Sequence, residues 1–249
     1  MFVQLKPIPT ATPPVHRLAE PAPLRWHHLL AAPHRLGFFG GLSMLALASL
    51  WWAAMLALRF AGAAVPWQVS PSTAHALLMA YGFMPFFFVG FLFTAGPRWL
   101  MLPPVPARTL LWPLGLMAFG WVAVGIGVHA AHGLAALGLA LVALGFALLS
   151  GRFAALVKRS GVPDRDHARV VVVGCAATVF GLCAAALGVA FEHNALARAA
   201  AHFGLWGGAG LVFVSVAHRM IPFFTASALP GLDAWRPRVL LMIMVALVG

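Results

Sequence analysis

The stretch from His75 to Ala95, HALLMAYGFMPFFFVGFLFTA, decides the fold, because it contains no Asp, Glu, Lys or Arg. About 20 consecutive apolar residues in a helix span the hydrocarbon core of a bilayer. The stretch therefore predicts a membrane-spanning helix with a histidine at one end. A proline-rich loop with Arg98, Trp99 and Arg108 follows at the other end.

The composition extends this prediction to the whole chain. It is 62% hydrophobic and 8% charged, whereas soluble domains carry about 25% charged residues. We predict an all-α fold, a polytopic transmembrane helix bundle with six full spanning helices and a truncated seventh. The apolar runs place the six helices near residues 37–60, 75–95, 109–128, 133–157, 168–191 and 199–224.

The two ends of the chain differ from this bundle. Residues 1–36 hold Pro, His and Arg without an apolar core, and we expect them to form a cytoplasmic N-terminal arm. Residues 37–249 form the predicted transmembrane domain. Its last apolar run begins at Val239 and is too short to span a bilayer, so we expect the domain to be incomplete at the C-terminus and completed by further helices of the same full-length chain.

The positive charges indicate how the bundle lies in the membrane. The net charge is +11, but the charged residues lie in short loops between apolar runs, so no nucleic-acid partner is predicted. In the predicted topology, 14 of the 16 Lys and Arg residues fall on one side of the lipid bilayer, and only Arg59 and Arg198 fall on the other. Because cytoplasmic loops are rich in Lys and Arg, we predict a cytoplasmic N-terminus.

Five histidines then fall at the outer ends of the helices. Imidazole suits haem iron, copper and zinc, so these residues are candidate ligands. We expect His75 and His202 to lie at similar depth and to meet one metal if their helices are neighbours. The other three, which could complete a haem or copper site or a metal site, are His129, His132 and His193. The alternative is that all five are interfacial polar residues without a cofactor.

Other polar residues receive more modest roles. Glu192 could accept a hydrogen bond from a ligating histidine. His34 and His218 are placed at the inner face, whereas His27 and His167 are placed in the arm and a loop. Cys175 and Cys183 are eight residues apart in one predicted helix, roughly 12 Å, which is too far for a disulfide. Both are therefore interpreted as small core residues.

Three segments resemble signature segments of the NnrS family. His75 to Trp99, HALLMAYGFMPFFFVGFLFTAGPRW, resembles that family's HEMLFGF…AGFLLTAVPNW. Arg219 to Leu229, RMIPFFTASAL, resembles its GRVIPAFTxNAL, and Pro33 to Phe39, PHRLGFF, resembles its PFRPFF. Ala76 stands where the family motif has a glutamate, and His218 stands where it often has Gly.

The resemblance implies a bacterial inner-membrane protein that contains haem and copper and is linked to nitric oxide and denitrification stress. This chain would correspond to roughly the first half of the family's chain. By similarity, His75 matches the motif histidine, and Arg219, Pro222 and Thr225 match the second motif. We expect Arg219 at the inner end of the sixth helix, beside a break at Pro222.

Two further functions remain open from the sequence. The first is a cofactor-free transporter for a small solute, although transporters place broken helices and polar groups near the bilayer midplane. Here Pro85 is the main irregular residue in the middle of a predicted helix. The second is a membrane assembly subunit. No catalytic residue is predicted, and the sequence does not indicate whether the protein is an enzyme.

Overall fold

The structure, a computed structural model, describes residues 25–229 and 235–248. Within these ranges it consists of helices and short loops, without a strand. Six helical segments are long and apolar enough to cross a membrane, and we call them spans 1 to 6: Pro33–Phe60, Pro71–Trp99, Ala107–Ala130, His132–Arg159, Asp166–Ala190 and Asn194–Ala228. The predicted all-α polytopic membrane bundle is therefore confirmed.

Spans 2 and 6 are each divided into two α-helices. The α-helices in chain order are α1 (Pro33–Phe60), α2 (Pro71–Leu77), α3 (Met84–Trp99), α4 (Leu111–Ala130), α5 (His132–Arg159), α6 (Asp166–Ala190), α7 (Asn194–Phe203), α8 (Leu211–Ala228) and α9 (Arg238–Val248). A 3₁₀ turn, Ala107–Leu110, precedes α4. The short apolar helix α9 occupies the position of the predicted seventh segment.

Local chemistry accounts for several helix ends. Pro71 occupies the first turn of α2, where its missing N–H costs nothing, and the Ser70 side chain accepts a hydrogen bond from the Thr73 N–H. Lys158 and Arg159 lie in the last turn of α5, where positive charge interacts favourably with the helix dipole. Consecutive spans pack against each other from span 3 to span 6, and span 1 packs against span 2.

The interruptions in spans 2 and 6 are π-helical segments, Leu78–Gly82 and Gly204–Gly210. They pack against each other through Tyr81, whose side chain is fully buried. Its hydroxyl donates a hydrogen bond to the carbonyl of Ala200. The absence of a side chain at Gly204 makes room for this ring, because a Cβ there would collide with it.

Small residues allow α4 and α5 to cross closely. A Cβ on Gly120 would lie 2.6 Å from the carbonyl oxygen of Gly138 and 2.9 Å from the backbone nitrogen of Val142. Close backbone approach through small residues is the usual way in which membrane helices pack. The helix α5 also packs against α6, and these three helices together with spans 2 and 6 enclose the core.

The first span lies at the edge of the bundle. Only 11% of its most apolar stretch is buried, against 44% or more of the corresponding stretch in each of the other five spans. Its main partner is α3, which it approaches where Gly37 faces Gly90. Its opposite side consists of leucines such as Leu47 and Leu50, which are 64% and 68% exposed.

Several details differ from the sequence predictions. The first span begins at Pro33, four residues before the predicted start. Neither Pro97 nor Pro222 ends its helix, since both lie inside α3 and α8 respectively. Pro85 lies in the first turn of α3, directly after the π segment of span 2. The interruption of span 2 therefore lies before Pro85 and not at Pro85.

The two cysteines are free, as predicted. Cys175 is a buried core residue, but Cys183 is exposed on the outside of α6. The interpretation of Cys183 as a core residue is therefore wrong. Eight residues at about 100° each leave a net rotation of about 80°. Cys175 lies near the edge of the buried face of α6, so this rotation takes Cys183 off that face.

Candidate functional site

The bundle has two chemically different ends. The basic end is where α3 and α5 finish and α6 begins, and it carries Arg98, Arg108, Arg159, Arg165 and Arg219. The far end is where span 2 begins and α4 meets α5, and it carries the five histidines predicted as ligands. Each end holds a different arrangement of imidazole groups.

At the far end, His129 belongs to an aromatic cluster with Trp51 and Trp67. Its Nε2 accepts a hydrogen bond from the Trp51 indole N–H at 3.2 Å, and its Nδ1 lies 2.9 Å from the Pro66 carbonyl oxygen. A carbonyl can only accept, so Nδ1 carries the proton. Both nitrogens of His129 are therefore engaged in tying α1 and the 61–70 loop to α4.

Spans 2 and 6 are neighbours, as required by the hypothesis that His75 and His202 bind one metal. The Thr73 hydroxyl donates to the Asn194 amide oxygen at 3.2 Å. His75 lies two residues beyond Thr73, whereas His202 lies eight residues beyond Asn194. Since each helical residue rises 1.5 Å, His202 lies roughly 9 Å deeper than His75.

The expectation of similar depth for these two histidines is therefore wrong. They also face different surroundings. The His75 ring is half-buried against Trp52, with 4.3 Å between ring centroids. His202 is exposed, because the buried side of α7 consists of Ala197, Ala200 and Ala201.

The remaining far-end histidines lie in the connections between spans. His132 Nε2 is 3.9 Å from a carboxylate oxygen of Glu192. His193 Nδ1 accepts the Leu196 N–H and so caps α7. Among the residues that the structure describes, no group of three or more His, Cys, Asp or Glu side chains could hold a metal ion. Metal or haem binding by the five far-end histidines stays a prediction.

The basic end contains an arrangement that the sequence did not reveal. His167 in the first turn of α6 and His218 on α8 face each other, with Nε2 of His167 2.9 Å from Nδ1 of His218. The rings stack with 5.1 Å between centroids. Only 5% of His167 and 6% of His218 is exposed. The placement of His167 in a loop is therefore wrong.

The two outward nitrogens of this pair, Nδ1 of His167 and Nε2 of His218, are buried and have no hydrogen-bond partner. A neutral imidazole has one N–H and one lone pair, and the pair shares one hydrogen bond. Whichever ring donates, one outward nitrogen keeps an unused lone pair and the other keeps an unused N–H. Buried polar atoms of this kind are rare in folded proteins and require an explanation.

Neighbouring groups hold the pair in place. The Ser215 hydroxyl donates to the His167 carbonyl at 3.0 Å and so joins α8 to α6. Arg219 follows His218 and lies over the Trp99 ring, 5.0 Å from its centroid. Its guanidinium is also 4.0 Å from Asp164. Arg219 thus packs against its neighbours at the basic end.

The other two residues of the second signature segment have local roles. Pro222 continues α8 without ending it, so the predicted break beside Arg219 is wrong. The Thr225 hydroxyl donates to the Ile221 carbonyl of the preceding turn at 3.0 Å.

A sequence signal for His167 did exist. The buried residues of α6 recur at helical spacing as His167, Val171, Gly174, Cys175 and Thr178. Starting that helix at Asp166, a residue favoured in the first turn, would have placed His167 on the buried face. The partner His218 has the same spacing from Leu211 and Ser215, but no spacing rule pairs two separate helices.

The six spans and the polar groups buried among them define the class of protein. The chain is a multi-pass helical membrane protein with a histidine pair inside its basic end. The model of the family described as NnrS protein matches residues 28–249. The chain belongs to the NnrS family. Searches of the curated proteins and of the solved structures found no match.

Proposed function

We propose that this chain belongs to a bacterial inner-membrane protein that holds haem or copper and responds to nitric oxide and nitrosative stress. Family membership over residues 28–249 is the observation that carries the proposal. The charge asymmetry between the two ends supports an orientation with the N-terminus in the cytoplasm. Nitric oxide is uncharged and crosses a bilayer, so a cofactor among these helices is accessible to it.

The His167–His218 pair is the place among the described residues that fits a metal best. A metal ion binds the lone pair of a neutral imidazole nitrogen, and this pair has an outward lone pair that no donor uses. A haem iron or copper ion held here would supply reversible one-electron chemistry.

The protein's own residues would serve that site in two ways. The Ser215–His167 hydrogen bond fixes the relative position of α6 and α8, and so fixes the two rings. The apolar flanks of the helices exclude bulk water from them. The five far-end histidines remain a second proposed set of metal ligands: His75, His202, His129, His132 and His193. Within this set, His75 and His202 lie at different depths, so each would need other residues to complete its metal site.

The test compares the two sets in one experiment. The purified full-length protein is analysed for iron and copper content and for its visible spectrum, before and after addition of nitric oxide. We expect His167→Ala and His218→Ala to remove most of the bound metal. His75→Ala and His202→Ala decide whether the far end contributes.

Two controls separate ligand loss from a folding defect. Thr178→Ala changes another buried polar residue of α6, whose hydroxyl donates to the Gly174 carbonyl, and it should retain the metal. His27→Ala removes an exposed histidine and should also retain it. Full metal content in His167→Ala and His218→Ala would exclude the pair. A wild-type protein without metal or visible absorption would contradict the proposed function itself.

The transporter alternative has one observation in its favour. Spans 2 and 6 are both interrupted and adjacent, and transporters often build their sites from broken helices. Here, however, Tyr81 fills the space between the interruptions and its hydroxyl is already bonded to Ala200. A solute site would require this ring to move. Uptake assays with purified protein in vesicles would test that alternative.

A further inference from the structure

A cavity of about 460 Å³ opens at the basic end between α1, α3 and α8. Its polar lining comes from three arginines together with His34 and Thr94. The arginines are Arg98, Arg219 and Arg236. A second cavity of about 480 Å³ adjoins it, shares His34, Thr94 and Arg98, and adds Arg108.

The charge balance of the first cavity is strongly positive. Among its described lining residues there is no carboxylate. The nearest one in the described chain is Asp164, which is 4.0 Å from both Arg219 and Arg236. Within the same described residues, Arg98 forms no ion pair or hydrogen bond. In the described part of the chain, one carboxylate thus faces three guanidinium groups, and an anionic ligand would offset the excess positive charge.

The rest of the lining is apolar and aromatic. Phe38, Phe91, Trp99 and Phe223 form the walls, and Phe223 is 56% exposed on the outside of α8. The cavity therefore continues from a cationic floor to a surface that faces lipid. A small inorganic anion would use the arginines alone and leave these walls without a partner.

The position along the membrane normal matches a headgroup. The lining residues of α3 lie in its last turns, and those of α1 lie in its first turns. Trp99 is a residue typical of the membrane–water interface. Basic pockets between transmembrane helices at this level are known to bind anionic lipid headgroups.

We propose that this cavity is a binding site for an anionic phospholipid. The phosphate group would lie among Arg98, Arg219 and Arg236, and an acyl chain would follow Phe38 and Phe223 towards the bilayer. Arginine suits this role because its planar guanidinium pairs with two phosphate oxygens at once. The site is independent of the cofactor proposal, since it uses neither histidine of the buried pair.

The experiment measures lipid binding to the purified full-length protein by native mass spectrometry. Phosphatidylglycerol is compared with phosphatidylcholine and with inorganic phosphate, at matched concentration. Each Lys or Arg near an anionic lipid surface contributes an amount equivalent to about a five-fold change in binding. We therefore expect Arg98→Gln and Arg236→Gln each to weaken phosphatidylglycerol binding about five-fold, and the double variant roughly 25-fold.

The matched control is Arg159→Gln, which removes one exposed arginine at the same end but outside the cavity. It should leave phosphatidylglycerol binding within about two-fold of the unaltered protein. Arg98→Lys keeps the charge and should retain most of the binding. Thermal unfolding without added lipid should be unchanged in all variants, which shows that any loss of binding is not a loss of folding.

Four results would overturn the proposal. Equal weakening by Arg159→Gln would indicate general surface electrostatics, and equal binding of phosphatidylcholine would indicate that charge is irrelevant. Equal binding of inorganic phosphate would indicate a site for free anions. Loss of haem from Arg98→Gln with unchanged phosphatidylglycerol binding would assign the cavity to the carboxylates of a cofactor.

Discussion

The crossing of α4 and α5 provides a sharp test of the packing, through Gly120→Ala. The new Cβ would lie 2.6 Å from the Gly138 carbonyl oxygen and 2.8 Å from a methyl group of Val142. The carbonyl belongs to helical backbone and cannot turn away. A normal van der Waals contact is about 3.5 Å, so the two helices must separate locally by nearly 1 Å.

The cost of this separation follows from two opposing effects. Overpacking in a dense interior costs about 1–3 kcal/mol, and a gap of this size also removes a quarter to a half of the dispersion energy of the atoms that lose contact. Against this, replacing Gly by Ala in a helix contributes about 0.5–1 kcal/mol of stability. We expect a net loss of about 1–2 kcal/mol in the free energy of unfolding.

The same helix supplies a matched control. Gly125 lies on the exposed side of α4, and a Cβ there would have no atom within 4 Å. Gly125→Ala has the same gain in helix propensity without the collision, so it should be neutral or stabilising by up to about 1 kcal/mol. The measurement is reversible unfolding in mixed detergent micelles, followed by tryptophan fluorescence. Equal stability of Gly120→Ala and Gly125→Ala would refute the close crossing.

Three other outcomes are expected. Tyr81→Phe should lower the free energy of unfolding by about 0.5–1.5 kcal/mol, because it removes the hydrogen bond from the Tyr81 hydroxyl to the Ala200 carbonyl of α7; unchanged stability would contradict that bond. A double-mutant cycle with Thr73→Val and Asn194→Ala should give a coupling of about 0.6 kcal/mol, and a coupling near zero would show that their contact contributes nothing. Reporter fusions after Arg159 should report the cytoplasm and fusions at Ala131 the periplasm, and the reverse pattern would invert the proposed orientation.

The spans themselves could be predicted because their signal is local. A run of apolar residues must form a helix in lipid, since each backbone N–H and C=O needs a partner there. The same reasoning placed the connections between spans, including the turn at Ala131. The predicted helix ends were less accurate at prolines. Pro97 and Pro222 each remove one backbone hydrogen bond, but packing against neighbouring helices keeps the helix intact.

The histidine pair could not be predicted because it depends on tertiary contacts. His167 and His218 are 51 residues apart, and only the packing of α6 against α8 brings them together. The opposite error was made for His75 and His202, which were predicted to bind one metal. Their spans are adjacent, but adjacency fixes neither the depth nor the face of a side chain. Sequence spacing within one helix determines the face, whereas depth depends on how two helices slide against each other.

The π segment of span 6 sets the rotational phase of everything that follows it. A π segment behaves as an α-helix with an inserted residue, and one residue corresponds to a rotation of about 100°. Deleting Gly207 would therefore leave α7 docked on span 2 but turn α8 by roughly a quarter of a revolution about its axis. His218 would then point away from His167, and Arg219 away from Trp99. The alignment of both groups at the basic end thus depends on a single extra residue within the stretch Gly204–Gly210.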